Sequence, residues 1–461
     1  MGTSLTRSSS FVKKAFLGLR WFFNSKFYPL MLVIFALISH TFSIEELGIT
    51  IIVATALPAL LICDDMKFII SPLIVFIFIF SEKSVSSGKF YRTPYLIAIT
   101  CGIIALLVFL IAHYVIYRKK VNFKSFKSSK LFWGLILLSC AVLSNGLLNF
   151  DEYQVGNLIY ACAFIVSLLG VFFLLTINIK ESKDLINHVM FVLLLVSILI
   201  TLQLYLAFIN QIQFVNGEIK KESIMIGWGM WNNIGGMLAF LLPVHFYYAT
   251  TIKRFGPLFY LTAIISFIAI ALTLSRSSLL TACFVFLICA IFICFKSKNK
   301  IANRIITGVL CVVGIVGIIV LWSKISRVLG DYISRGLDDN GRFEMYLHGL
   351  FNFLENPIFG GGFYSSYATE HMFIAFLPYR YHNTIVQMLA TCGIVGIISY
   401  LYHRYQTIQL LVSKKMISSV FIGLCFVALL MSSMLDNHFF NIYPTFIYSV
   451  MLVAVEKTVK S

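Results

Sequence analysis

Long apolar runs separated by short polar segments constrain this chain more than any other feature of its sequence. Hydrophobic residues make up 59% of the 461 residues, and only 12% are charged. A water-soluble fold could not bury so much apolar side chain, and apolar runs of about 18 residues or more are typical of membrane-spanning helices. The sequence therefore predicts an all-α polytopic membrane protein.

The apolar runs predict about fourteen transmembrane helices. The first three are short for a span, because a helix needs roughly 20 residues to cross the hydrocarbon core. The predicted segments are Phe27–Phe42, Gly48–Cys63, Phe68–Phe80, Tyr95–Tyr117, Leu131–Leu148, Gly156–Ile177, Leu185–Phe208, Ile234–Thr250, Pro257–Leu274, Leu279–Phe295, Ile305–Trp322, Thr384–Tyr402, Ile417–Leu435 and Phe440–Val455.

The net charge of +17 follows the predicted topology. With the N-terminus in the cytoplasm and the spans alternating, most Lys and Arg residues fall on the cytoplasmic side, which is the positive-inside pattern. We therefore expect a multi-pass protein of the cytoplasmic (inner) membrane with both termini in the cytoplasm. Nucleic acid is excluded as a partner, since no basic soluble domain is present to bind it. The main basic clusters are Lys13-Lys14, Arg118-Lys119-Lys120, Lys253-Arg254, Lys296–Arg304 and Lys414-Lys415.

The chain divides into four predicted parts. Residues 1–26 form a basic cytoplasmic segment at the membrane interface, which lacks the cleavage site of a signal peptide. Residues 27–322 form a transmembrane bundle of about eleven helices. Residues 323–382 form a large external loop, and residues 383–461 form the C-terminal transmembrane helices. A shorter external loop, Ile209–Asn233, carries Trp228 and Trp231, which we expect to anchor at the membrane interface.

The large external loop is the one long polar stretch, and we expect the function there. Apolar residues recur at helical spacing over Arg342–Glu355, which predicts an amphipathic helix. Asn340-Gly341 would begin this helix and Asn356-Pro357 would end it, because the residue before proline avoids the helical region. Gly360-Gly361-Gly362 predicts a tight turn where the backbone approaches another segment closely. No Gly-Lys-Ser/Thr follows the glycines, so they are not a phosphate-binding P-loop.

Three side chains around this loop are candidates for chemistry. Arg276 lies in a very short connection between two spans, where a cation is costly unless it is paired or faces a polar cavity. It is either a binding site for an anion or an interfacial arginine extending to headgroups. Arg342 would lie in the first turn of the loop helix, where an anion is also favoured, although arginines there are often only solvated or paired. His382, at the mouth of the next span, is suited to accept a proton or is simply structural.

Metal chemistry has little support in the sequence. The ten cysteines fall within predicted spans, at no spacing typical of a metal site. Asp338-Asp339 places two carboxylates in the external loop, but two adjacent carboxylates alone are a poor metal signal. We expect no metal and no cofactor.

The order and spacing of several short motifs resemble the O-antigen ligase and polymerase superfamily of bacterial membrane glycosyltransferases. The motifs are Ser-Arg-Ser-Ser at 275–278, Gly-Arg-Phe-Glu at 341–344, Asn-Pro-Ile-Phe-Gly-Gly-Gly-Phe at 356–363 and the segment that begins His-Asn-Thr at 382. The similarity extends from about residue 233 to residue 396 and fades toward both ends. About fourteen spans would exceed the usual twelve of the ligases, so the branch of the superfamily stays open.

The resemblance implies a GT-C-like helical bundle and a polyprenyl-diphosphate-linked glycan as donor. It implies inverting transfer to a glycan, lipid or wall-polymer acceptor, without metal, with the site on the external face. Carried onto this chain, Arg276 and Arg342 match the arginines that hold the diphosphate, and His382 matches the base. Asn233, Ser275 and Asn383 are expected to support the site. The product would belong to cell-surface polysaccharide biosynthesis, including lipopolysaccharide.

Two classes of function remain open. The first is a membrane glycosyltransferase, either a ligase or a polymerase, since the two reactions share a donor and differ in the acceptor. The second is a transporter or flippase for lipid-linked sugars. Transporters usually carry ionisable residues near the middle of the membrane, and we expect essentially none here, which favours the transferase.

Overall fold

Most of the chain is described by the computed structural model. The described residues are 14, 16–83, 93–117, 123–149, 153–210, 212–215, 218–320, 322, 323, 326, 342–364 and 381–459. Asp338-Asp339, Asn340-Gly341 and most of the basic N-terminal segment lie outside them.

Seventeen helices make up the described part of the fold, numbered here in chain order. Two short 3₁₀ turns lie in connections between helices, Lys221–Ser223 between α9 and α10 and His438–Phe440 between α16 and α17. The helices are α1 (Phe16–Asn24), α2 (Phe27–Phe42), α3 (Glu45–Ile62), α4 (Met66–Phe76), α5 (Thr93–Ile116), α6 (Phe123–Lys127), α7 (Phe132–Leu143), α8 (Val155–Asn178), α9 (Leu185–Asn210), α10 (Trp231–Thr251), α11 (Gly256–Leu272), α12 (Arg276–Lys296), α13 (Lys300–Val320), α14 (Arg342–Glu355), α15 (Thr384–Lys414), α16 (Ile417–Asp436) and α17 (Ile442–Lys457).

The predicted all-α multi-pass fold is confirmed, but the count of fourteen spans is not. Every predicted segment overlaps a helix. Among the described residues, eight helices are long and apolar enough to cross a membrane, and nine if the bent pair α1 and α2 forms one span. Four further apolar stretches, in α4, α5, α7 and α11, are only 10–17 residues long. At 1.5 Å of rise per residue, they fall short of a hydrocarbon core about 30 Å thick.

Helix α10 lies at the centre of the bundle. It packs against α11, α12 and α16, and 94% of the residues in its most apolar stretch are buried inside the protein. Two glycines near its start allow this close approach. A Cβ on Gly235 would lie 2.7 Å from the Thr273 hydroxyl, and one on Gly236 would lie 2.4 Å from the His438 ring. The start of α10 is therefore in direct contact with the turns that precede α12 and follow α16.

The connection between α9 and α10 forms two short antiparallel hairpins, β1 (Phe214–Val215) with β2 (Glu218–Ile219) and β3 (Met225–Ile226) with β4 (Gly229–Met230). The expectation that Trp228 anchors at the membrane interface is wrong. Its ring is 6% exposed, packs edge-on against Phe78 at 4.9 Å, and donates Nε1–H to Gln203. A buried indole needs such a partner for its N–H, which explains the inward orientation.

Candidate active site

One end of the bundle, called here the site end, collects the starts of α10, α12, α14 and α15 and the end of α16. His382 directly precedes α15 and has a left-handed backbone, with φ +50°. Asn383 caps α15 by accepting hydrogen bonds from the amides of Ile385 and Val386 at 2.8 and 3.2 Å. Its side-chain Nδ2 donates to the carbonyl of Met434 at 3.1 Å. The predicted supporting residue Asn383 therefore joins the start of α15 to the end of α16.

His382 is paired with a carboxylate at the end of α16. Its Nδ1 lies 2.6 Å from Oδ1 of Asp436, and the two side chains are 30% and 8% exposed. A carboxylate on one ring nitrogen fixes the orientation of an imidazole and leaves the other nitrogen to face the reactants. Asp436 was missed in the sequence analysis, which ended the span one residue earlier. The available signal was an acidic residue in the short connection between two spans.

Three further hydrogen bonds hold the two segments together. The Thr384 hydroxyl donates to Oδ1 of Asn437 at 3.0 Å, and Nδ2 of Asn437 donates to Oε1 of Gln387 at 2.7 Å. The same Gln387 oxygen accepts the amide of Tyr381 at 3.0 Å. Asn437 has φ +52°, a conformation that asparagine adopts more readily than most residues. The residues on both sides of the His382–Asp436 pair are thus fixed by buried polar contacts.

Arg342 is the first residue of α14, as predicted. It is half-buried, and its Nη1 donates to the carbonyl of Leu435 at 2.7 Å. That carbonyl belongs to the residue before Asp436, so the guanidinium lies beside the His382–Asp436 pair. The loop helix is confirmed with its predicted bounds. Gly349 lets it pack closely on α15, because a Cβ there would lie 2.4 Å from the Val386 side chain.

Arg276 is the first residue of α12 and is exposed at the same end. The turn before it passes through Leu274 in a left-handed conformation, with φ +54°. Ser275 is 1% exposed, and its hydroxyl lies 2.9 Å from that of Ser278 and 3.3 Å from that of Ser277. Ser275 therefore stabilises the turn that presents Arg276.

A third cation, Lys221, lies within electrostatic range of both arginines. Burial and then the positive charges of Arg276 and Arg342 lower the pKa of Lys221, while the charge of Asp436 acts in the opposite direction. Arg276, Arg342 and Asp436 therefore all lie within electrostatic range of Lys221. The ammonium of Lys221 also lies 5.5 Å from the ring centre of Trp231. Lys221 was not predicted from the sequence, because nothing there distinguishes it from its neighbour Lys220.

Asn233 has a structural contact at the site end. Its Oδ1 accepts a hydrogen bond from Nδ2 of Asn441 at 3.2 Å, and Asn441 caps α17 through the amide of Tyr443. With the His438 ring packed on Gly236, this bond fixes the start of α10 against the turn between α16 and α17. Asn233 therefore joins the start of α10 to the start of α17.

The three glycines after the loop helix fill a break in α15. Gly393 interrupts this helix with φ +63° and ψ −156°. The amides of Gly361 and Gly362 donate to the carbonyls of Ala390 and Thr391 at 2.8 and 3.2 Å. In return, the amides of Ile394 and Val395 donate to the carbonyls of Pro357 and Ile358. The loop thus replaces helical hydrogen bonds that the break removes, which confirms the predicted close approach of the backbone.

Two buried asparagines hold the same loop from its other side. Oδ1 of Asn157 accepts the amide of Tyr364 at 2.8 Å, and Oδ1 of Asn145 accepts the amide of Phe363 at 3.4 Å. Both asparagines are fully buried. The segment from Pro357 to Tyr364 is therefore integrated into the bundle, although it belongs to the predicted external loop.

The expectation that the bundle lacks ionisable residues away from its ends is wrong. Arg404 lies on α15, ten residues or about 15 Å before the end of that helix. Its guanidinium stacks against the rings of Phe439, Tyr400 and Tyr448 at 4.2, 4.8 and 5.1 Å. The predicted span ended at Tyr402, which assigned Arg404 to the cytoplasm, whereas α15 continues to Lys414. Cation–π contacts stabilise a charge at this depth.

The structure brings together all six residues that the sequence analysis assigned to the site. Arg276, Arg342, His382 and Asn383 lie around the ends of α12, α14 and α15, with Ser275 and Asn233 behind them. The described part of the chain contains no group of three or more His, Cys, Asp and Glu side chains placed to hold a metal ion. His371, a further histidine of the loop, lies outside the described residues.

Residues 261–401 match a protein-family model described as O-antigen ligase. The match covers just under a third of the chain and confirms the resemblance inferred from the motifs. It contains Arg276, Arg342 and His382, whereas Lys221, Asn233 and Asp436 lie outside it. No curated protein matches the chain.

Proposed function

We propose that this membrane protein, whose residues 261–401 match an O-antigen ligase domain, transfers a glycan from a polyprenyl diphosphate to an acceptor hydroxyl. The family match supports a ligase or polymerase type of transferase acting in polysaccharide biosynthesis on lipid-linked glycan substrates. The observation that carries the proposal is the His382–Asp436 pair, which lies beside Arg342 and within electrostatic range of Lys221, which Arg276 in turn affects.

The three cations would bind the diphosphate of the donor. Breaking the glycosidic bond adds a further negative charge to the diphosphate of the departing lipid, and fixed cations lower the energy of that state where water is scarce. Arg342 can donate to Leu435 with one nitrogen and to phosphate with others, because guanidinium carries five N–H donors. Lys221 and Arg276 would add two further charges, and the repulsion among the three favours an anion between them.

His382 would act as the general base. When Nδ1–H donates to Asp436, Nε2 of the neutral ring is an acceptor. The acceptor hydroxyl loses its proton to Nε2 as its oxygen attacks the anomeric carbon. The bond from that carbon to the phosphate oxygen breaks, and the electron pair leaves with the diphosphate. A single displacement of this kind inverts the anomeric configuration. The imidazolium that forms is stabilised by the Asp436 carboxylate.

The distribution of basic residues supports an external site. Helices α10 and α12 both start at the site end, and at the opposite end they reach Lys253-Arg254 and Lys296. Positive residues accumulate on the cytoplasmic side of membrane proteins. The site end would then face the exterior, where the lipid-linked glycan is exported and the acceptor is located. The acceptor, which distinguishes a ligase from a polymerase, would be a glycan, a lipid or a wall polymer.

The test uses purified protein in detergent with a lipid-diphosphate glycan and chelator, comparing wild type with His382→Ala. We expect transfer by the wild type and a loss of about 10²–10⁴ in rate in the variant. An elongated lipid-linked product identifies a polymerase, and a newly linked acceptor identifies a ligase. A wild-type rate in a folded His382→Ala protein rules out the base assignment. Absence of transfer with glycan, lipid and wall-polymer acceptors would favour the transporter alternative, for which the position of Arg404 within α15 is the supporting observation.

A further inference from the structure

A cavity lined by both polar and apolar side chains lies at the opposite end of the bundle from the candidate active site. Its volume is about 350 Å³, within the range of small-ligand pockets. Tyr247, Tyr248 and Thr251, at the end of α10, form one wall. Asn233, which belongs to the site end, lies 18 residues before Thr251 on the same helix, a distance of about 27 Å. The cavity is therefore separate from the candidate active site.

Positive charge exceeds negative charge at this cavity. Lys26 and Lys67 line it together with one carboxylate, that of Asp184. Within the described ranges, neither lysine forms an ion pair. The nearby Asp64 is already paired with both Arg20 and Lys180. The two lysines therefore give the cavity a net positive charge.

The two lysines suit an anion with several acceptor oxygens. The Nε2 atom of His188 is shielded from solvent and has no hydrogen-bond partner among the residues that the structure describes. The ammonium of Lys67 acts electrostatically on the same imidazole. The Nε2 atom is therefore out of reach of a ligand, and the positive charge at the cavity comes from the two lysines. Phosphate oxygens could accept hydrogen bonds from both lysines.

We propose that this cavity binds the phosphate group of an anionic membrane lipid. The cavity lies where α2 and α9 begin and α10 ends, which is the level of the headgroups for spanning helices. Phe191 and Ile252 give it an apolar side that can contact the start of an acyl chain. Lys26 lies 5.4 Å from the ring centre of Phe191, so cation and apolar wall are adjacent. A soluble phosphate has the same charge but cannot use the apolar side.

The experiment titrates delipidated protein in detergent with phosphatidylglycerol or phosphatidylcholine and counts bound lipids by native mass spectrometry. We expect tighter binding of phosphatidylglycerol. In Lys26→Gln/Lys67→Gln its affinity should fall about thirtyfold, since each lysine near an anionic headgroup contributes roughly fivefold. The matched control is Lys253→Gln/Lys296→Gln, which removes two exposed lysines from the same end of the bundle and should bind as the wild type does.

A separate arm replaces the lipid with inorganic phosphate. Protection against thermal unfolding by millimolar phosphate, lost in the double variant and without selective binding of phosphatidylglycerol, would assign the cavity to a soluble phosphate. Equal affinity for the two lipids, or a double variant that binds phosphatidylglycerol like the wild type, with no phosphate effect, overturns the proposal. If the double variant does not fold, Lys26→Gln alone serves, because this side chain is exposed and its replacement removes only the contact with the Phe191 ring. Its expected effect is about fivefold.

Discussion

The Nδ1 atom of His382 lies 2.6 Å from Oδ1 of Asp436, although 54 positions separate the two residues in sequence. Each belongs to the end of a different helix, and each is surrounded by hydrogen bonds that join those helices. The contact therefore depends on the fold of the whole C-terminal region. A carboxylate in this position orients the imidazole and stabilises the imidazolium that forms when the ring accepts a proton.

Asp436→Asn should lower kcat by about 10²–10⁴ with a much smaller change in the KM for the donor. The amide can donate to Nδ1, which would place the proton on Nε2 and prevent this nitrogen from accepting one. The measurement is steady-state transfer with varied donor. Asp64→Asn is the matched control, because it removes a carboxylate from the opposite end, and it should retain wild-type kcat. Equal kcat in wild type and folded Asp436→Asn would show that Asp436 does not orient the base.

Arg342→Lys should not rescue the defect of Arg342→Ala. We expect both variants to lose about 10²–10³ in kcat/KM for the donor, the usual cost of one charge-stabilising donor. A lysine ammonium is a point charge on a flexible stem and cannot donate to the Leu435 carbonyl while binding phosphate in a bidentate manner. Arg254→Lys, in an exposed position at the other end, is the control. Recovery of wild-type kcat/KM in Arg342→Lys would contradict bidentate binding by Arg342.

Lys221 should make donor binding sensitive to alkaline pH. Burial and the charges of Arg276 and Arg342 lower the pKa of Lys221, so its positive charge is present on the acid side of that lowered pKa. The charge is lost as the pH rises through it, before an ordinary lysine would titrate. We expect kcat/KM for the donor to fall in this alkaline range in wild type. Lys221→Arg should retain its kcat/KM for the donor in this alkaline range, because arginine stays protonated.

The control for Lys221 is its neighbour Lys220, which is exposed. Lys220→Arg should leave the pH profile of kcat/KM unchanged. If Lys221→Arg and wild type lose activity over the same pH range, another group controls the alkaline limit.

Gly393→Ala should destabilise the protein by about 1–3 kcal/mol or more. The backbone at Gly393 has a conformation that is essentially restricted to glycine. A Cβ there would also lie 2.4 Å from the carbonyl oxygen of Ile358. Thermal unfolding in detergent measures the effect. Gly314→Ala on α13 is the control, since a Cβ there meets nothing within 4 Å, and it should be neutral or slightly stabilising. A melting temperature of Gly393→Ala at or above that of wild type would argue against the break in α15.

Local sequence patterns predicted the local structure well. All fourteen apolar segments overlap helices, and the loop helix has the predicted bounds Arg342–Glu355. Apolar periodicity, the Asn-Pro pair and the glycine turn are signals that act within a few residues. Arg342 and His382 were found for the same reason, because each stands at the end of a helix that the sequence defines.

The contacts that complete the site could not be predicted in this way. Asp436 and Lys221 meet His382 and Arg342 only through the packing of distant helix ends. The break at Gly393 also could not be predicted from the sequence, since the residues that flank Gly393 are as apolar as those of an uninterrupted span. Its hydrogen bonds come from Pro357–Gly362, about thirty residues earlier in the chain. Single-sequence periodicity carries no information on such partners.

The break in α15 also constrains how the chain is made. A helix with four unpaired backbone groups is unfavourable in a lipid environment, where water does not satisfy them. The segment that satisfies them, Pro357–Gly362, leaves the ribosome before α15 does. Its partners are thus already present when the helix is synthesised, and α15 can complete its hydrogen bonds on arrival. A circularly permuted chain that made α15 first would expose those groups during insertion.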